Sequence, residues 1–243
     1  MSERTSSKIG VIFDLDGTLL DSTGLMQNIP LELEKIYKVS IDDATAREIE
    51  NKILNTLKGR SNRFMIIRLI FYVAKKYKVP WYLRLRYLKD AGKIYKKLIK
   101  KVPIFPGVRD TLEFLINKGF LIAINTTSSE SEVKDRFEER MELLDLFNGL
   151  VITRTDIQKL KPNPESIQII SAKMGIPIKN LVMVGDMDAD ILAGKNSGCT
   201  TVGVLCGYAT KDMMLEYNPD FIIESVRELP DILSKLLEKI DSL

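Results

Sequence analysis

Ile9-Gly10-Val11-Ile12-Phe13-Asp14-Leu15-Asp16-Gly17-Thr18 sets a short β-branched run directly in front of two carboxylates and a glycine turn. The run 9–13 is too short for a helix and predicts a buried strand. Two acids two apart at its end raise each other's pKa unless a cation neutralises them. The pattern returns at 180–184, a second apolar run that ends at Gly185-Asp186-Met187-Asp188-Ala189-Asp190. Further runs at 120–125, 149–153, 200–205 and 221–223 predict more strands. Between them the spacing predicts helices near 107–118, 130–144, 163–174, 188–197 and 226–240. Pro106-Gly107 introduces the first of these helices and Gly119 closes it. Strands alternating with such helices predict an α/β, doubly wound, mainly parallel sheet with helices on both faces.

Residues 22–103 interrupt that alternation. They offer no strand pattern and predict helices near 24–38, 42–57, 62–77 and 80–101, the last two divided at Val79-Pro80. Apolar residues recur three and four apart, as in Leu83, Tyr87, Ala91, Ile94 and Leu98. The expected organisation is an α/β core of 1–21 and 104–243 with an inserted all-helical domain of 22–103. Charge follows the same division. Residues 44–103 hold 17 Lys/Arg against the acids Glu48, Glu50 and Asp90, a net of +14, while the remainder carries −11 of the overall +3. Two units with different tasks account for such asymmetry.

Composition removes whole classes of chemistry. The 243 residues contain no histidine, which excludes Ser-His-Asp triads, Cys-His dyads, His-ligated zinc and phosphohistidine. Cys199 and Cys206 are too few for a zinc cluster and match no redox spacing, so two buried, inert thiols are expected. A chain 45% hydrophobic and 28% charged can bury a sizeable core. Its apolar runs are far too short to span a bilayer, and 1–8 lacks the pattern of a signal peptide. A cytoplasmic protein without a membrane partner is therefore expected.

What remains for chemistry is carboxylate, lysine and hydroxyl. The carboxyl ends of parallel strands are where open α/β sheets bind ligands, and both acidic groups fall there. A hard cation such as Mg²⁺, which takes oxygen ligands and leaves room for phosphate, would resolve the repulsion among Asp14, Asp16, Asp186 and Asp190. Thr126 follows the strand 120–125, where a hydroxyl and backbone N–H groups can hold an oxyanion. Lys161, just before Pro162, follows 149–153 and can pair with Asp14 and a phosphate oxygen. Taken singly, the threonine is a commonplace helix cap and the lysine a commonplace loop residue.

Together these residues resemble the haloacid dehalogenase (HAD) superfamily. Motif I reads Asp14-x-Asp16-Gly17-Thr18, motif II Thr126, motif III Lys161 and motif IV Gly185-Asp186-x-x-x-Asp190. The helical insertion, with 16–22 and Phe105-Pro106-Gly107-Val108, is similar to the C1 cap of the phosphoglycolate phosphatase-like branch. The resemblance implies a Mg²⁺-dependent phosphatase that forms an aspartyl-phosphate on Asp14, with Asp16 as acid and base. It implies a metal held by Asp14, the Asp16 carbonyl and Asp186, with Asp190 beside them, and a phosphoryl group held by Thr126, Thr127 and Lys161. Asp16 favours phosphate esters over haloacids, because a halide needs no proton.

A β-phosphoglucomutase-like phosphotransferase is the alternative, weakened by the missing histidine that such mutases generally place after motif I. A phosphonatase, which would need a cap lysine, ranks lower. The expected partner is a small anionic phosphorylated substrate, with Lys58, Arg60 and Arg63 as candidate substrate-facing residues. A nucleic-acid partner is not expected. The basic insertion with Tyr72, Tyr77, Trp81, Tyr82 and Tyr87 would carry that reading, yet aromatics at this spacing more commonly pack.

Overall fold

A computed structural model describes residues 9–57 and 63–241. Strand β1 (Gly10–Phe13) is buried along its whole length, as its unbroken apolar run requires. It is followed by β2 (Leu121–Asn125), β3 (Val151–Ile152), β4 (Leu181–Gly185), β5 (Thr200–Val204) and β6 (Phe221–Ile223). They form one sheet in the order β3-β2-β1-β4-β5-β6, with every pairing parallel. Strand β3 is shorter than its sequence run because Gly149 turns at φ 77 just before it.

The sheet grows outward from β1 to β3 and then returns to β4, next to β1, before growing to β6. That reversal makes the β1/β4 junction the switch point of the fold. Phe13 stands opposite Ile124 on one side and Val184 on the other, so Asp14, Asn125 and Gly185 emerge along one edge. The Asp14 N–H donates to the Val184 carbonyl at 2.8 Å, fixing that alignment one residue beyond the strand.

The chain divides into two compact units, one of Met1–Asp21 with Pro103–Leu243 and one of Ser22–Val102. The second is helical: α1 (Leu25–Tyr37), α2 (Asp43–Leu57), α3 (Arg63–Lys76), a single 3₁₀ turn at Trp81–Leu83, and α4 (Arg84–Ile99). Its core gathers Leu33, Ile49, Val73, Ala74, Tyr77, Val79, Tyr87 and Ala91. Tyr37 and Tyr87 pack with ring centroids 5.1 Å apart, while the hydroxyls of Tyr37 and Tyr77 donate to Asp90 and Glu34, each at 2.9 Å. Trp81 and Tyr82 are exposed. Lys58 and Arg60 lie outside the described residues, and Arg63 opens α3.

In the α/β unit the helices are α5 (Val108–Asn117), α6 (Glu130–Phe137), α7 (Met141–Asp145), α8 (Glu165–Met174), α9 (Asp188–Ser197), α10 (Lys211–Glu216) and α11 (Leu229–Asp241). Ile167, Ile170 and Met174 of α8 and Ala193 of α9 bury Ile12, Ala123 and Met183, every one from its strand's same face. Helix α5 packs on β2 and α11 on α5. The helix expected over 130–144 is two helices, broken where Arg140 takes φ −155 and ψ 44. Helix α8 starts at Glu165 rather than 163, because Asn163 precedes a proline and avoids the helical region. Among the described residues no helix is long and apolar enough to cross a membrane.

Candidate active site

Three strands deliver one buried polar group. Asp14 follows β1, Asp186 follows β4, and Asp190 comes from the first turn of α9; all three are buried. One oxygen of each lies within 4.8 Å of the others. Lys161, on the loop after β3, is buried among them. Its ammonium donates to Asp14 Oδ1 and Asp190 Oδ1, both at 2.5 Å, and to the Asn125 carbonyl at 2.9 Å. Asp190 Oδ2 accepts from the Met187 N–H at 3.1 Å, so this carboxylate caps its own helix while it anchors the lysine.

Three carboxylates face one ammonium, and the protonation equilibria show the imbalance. Burial pushes the Asp14 carboxyl up to about 7; Lys161 pulls it down and the charge on Asp190 adds to the rise. Burial also lifts Asp186 well above the usual carboxylate range, with the charges of Asp14 and Asp190 adding to it. Burial opposes the charge on Lys161, but the attraction of Asp14 and Asp190 and their hydrogen bonds outweigh it and its pKa rises. Asp186 is gripped by the Tyr208 N–H at 2.8 Å and the Thr18 hydroxyl at 3.4 Å. A Cβ on Gly17 or Gly207 would overlap its carboxylate, and Gly17 also turns at φ 88. Hard oxygen donors with surplus negative charge fit a divalent cation such as Mg²⁺, and a soft metal poorly.

Asp16 does not join this group through its side chain. Its carboxylate accepts from Arg136 twice, Nε to Oδ1 at 3.0 Å and Nη2 to Oδ2 at 2.9 Å, and from the Ser128 hydroxyl at 3.4 Å. Thr126 is buried, its hydroxyl accepting from the Ser128 N–H at 3.1 Å, and it adjoins the Asn125 carbonyl that receives Lys161. Thr127 is exposed on the same loop. Cys199 is buried as expected, but Cys206 is half-buried, its thiol donating to the Gly17 carbonyl at 3.6 Å. Burial and the nearby Asp186 push that thiol up to about 11, so it remains unreactive.

Arg136, Tyr208, Gly207 and Ser128 belong to the site's surroundings without having stood out in the sequence. For Arg136 a signal existed. It interrupts the buried stripe of Val133 and Phe137, a position where an arginine needs a carboxylate partner. For Tyr208, which acts through its backbone N–H, residue type carries no signal.

Residues 11–204 match the family model of haloacid dehalogenase-like hydrolases. The chain belongs to that family. It is 28% identical to the pyrophosphatase PpaX of Halalkalibacterium halodurans over 227 residues, 91% of this chain and 95% of the relative. It is also 28% identical to a phosphoglycolate phosphatase of Shigella boydii over 237 residues, 90% of each chain. A candidate β-phosphoglucomutase of Thermotoga maritima shares the fold, with a TM-score of 0.76 at 19% identity, covering 93% of this chain and 99% of that one. Family and relatives together define an enzyme of the phosphatase type.

Proposed function

We propose that this protein is a Mg²⁺-dependent phosphatase that hydrolyses a small phosphate monoester, phosphoglycolate phosphatase-like, through an aspartyl-phosphate on Asp14. The observation that carries the proposal is the buried Asp14–Lys161–Asp190 arrangement with Asp186 beside it. Lys161 donates to Asp14 Oδ1 and not to Oδ2, which supports attack on phosphorus through Oδ2. As that P–O bond forms, the ester P–O bond breaks and Asp16, which enters this half-reaction protonated by the previous cycle's water, gives that proton to the departing oxygen. Asp16, now a carboxylate, takes a proton from the water that attacks the acyl phosphate, releasing inorganic phosphate and restoring Asp14. The Lys161 ammonium and the Thr126 hydroxyl balance the negative oxygens of the transferring group, a task that dominates phosphoryl transfer. Asp14, Asp186 and the Asp16 backbone carbonyl, with Asp190 nearby, would hold Mg²⁺, which when bound screens the carboxylate from the phosphoryl charge.

The test is phosphate release from a panel including phosphoglycolate, pyrophosphate and sugar phosphates, with Mg²⁺ and with chelator. Asp14→Asn, nearly isosteric, should fold normally and lose turnover by at least roughly a thousandfold, as expected for a lost nucleophile. Hydrolysis that survives in this variant without metal would overturn the assignment. Isomerisation of a sugar phosphate in place of phosphate release would instead establish a mutase.

A further inference from the structure

Arg136 is among the largest fully buried side chains, yet its pairing partner is a carboxylate left 27% exposed. Burying the guanidinium carries a substantial desolvation cost, which its contacts with Asp16 and the Glu132 carbonyl must offset. We propose that Arg136 is a positioning residue for proton transfer by Asp16. This rests on the phosphatase reading above, in which Asp16 first donates a proton to the leaving oxygen and then accepts one from water.

The geometry suits that task. Nε and Nη2 each take a different oxygen of Asp16, a side-on contact that fixes both the direction and the plane of the carboxylate. Nη1 donates to the Glu132 carbonyl one turn earlier at 2.8 Å, so the guanidinium is itself held at both ends. The start of α6 is fixed in turn. Ser129 and Glu132 form a reciprocal cap, and Arg154 pairs with Glu132 at 3.1 Å. Asp16 is thus a half-exposed acid on a turn after a strand, with its rotamer dictated from a buried helix face. Proton transfer demands such placement, since a shift of about 1 Å in a reacting group can cost roughly a hundredfold in rate.

Leaving-group dependence tests the proposal. Protonation matters for an alkoxide and hardly at all for p-nitrophenolate, and kcat/KM reports the step in which the two differ. Arg136→Met should lower kcat/KM for an alkyl phosphate roughly 30- to 100-fold and for p-nitrophenyl phosphate less than about fivefold, the size of effect a positioned acid supplies. Arg136→Lys keeps the charge without the two-point grip and should fall between. In an Asp16→Asn background, Arg136→Met should add less than about a twofold loss, because its effect passes through Asp16. Equal losses on the two substrates, or a further large loss in the Asp16→Asn background, overturn the proposal. Should Arg136→Met fail to fold by circular dichroism, Arg136→Lys carries the same comparison. Absence of phosphate release by the wild-type protein on every substrate would overturn the phosphatase reading itself, and this inference with it.

Discussion

At the scale of single residues, Lys161 carries the heaviest electrostatic duty. Its ammonium is the common partner of Asp14 and Asp190, and all three side chains are almost wholly removed from water. Replacing one member of a buried ionic group is costly because the others remain, charged and unpaired. Lys161→Met should therefore lower the unfolding free energy by about 3–5 kcal/mol in urea titrations at pH 8 with chelator present. It should also abolish phosphate release. A loss below about 1 kcal/mol would mean that the carboxylates escape by taking up protons. Asp14, whose carboxyl is already pushed up to about 7 by burial, is the first candidate to do so.

At the scale of elements, the strand ends were legible and the loops were not. A strand announces itself by a run of apolar residues, and the acids that interrupt each run mark its carboxyl end; Asp14 and Asp186 needed nothing more. Thr126 and Lys161 are legible because they follow strands, and the fold sets both at the carboxyl edge of the sheet, with Lys161 against Asp14 and Asp190. The sequence of 130–144 predicts one continuous helix because no proline or glycine marks the break at Arg140. Helix α10 is too short for its apolar spacing to predict it, and it is capped by Thr210, whose hydroxyl accepts from the Met213 N–H at 3.3 Å. The Cys206–Tyr208 loop was equally silent, since its contribution is backbone: the Tyr208 N–H on Asp186 and the bare Cα of Gly207 against the same carboxylate. Gly207→Ala tests that loop directly. The added methyl would overlap the buried Asp186 carboxylate, at a cost of about 1–3 kcal/mol for overpacking. Its melting temperature should fall by a few degrees, while the rise produced by Mg²⁺ shrinks by more than half. An unchanged Mg²⁺ response would remove Asp186 from the metal's ligand set.

At the scale of the whole molecule, the clustered acids couple folding, protons and metal. The sign follows from Asp14. Its carboxyl is raised from 3.8 to about 7 in the folded state, so the folded protein holds more protons than the unfolded chain between those values. Stability of the metal-free protein therefore falls as pH rises across that window and levels off above it. Asp186, raised by burial and by its acidic neighbours, pushes in the same direction. Metal binding runs the opposite way, because its ligands must be deprotonated and each bound proton competes with the cation. The two trends separate the metal-loaded and metal-free proteins as pH increases. Saturation to 100 times the dissociation constant adds about 2.7 kcal/mol. For a chain of this size that is a rise of roughly 5–10 °C in melting temperature. At a fixed, subsaturating Mg²⁺ concentration, scanning calorimetry with and without chelator should show a gap that is small at pH 6 and largest at pH 8. A gap independent of pH would mean that the bound cation does not displace protons from Asp14 or Asp186, and so does not sit where the three acids converge.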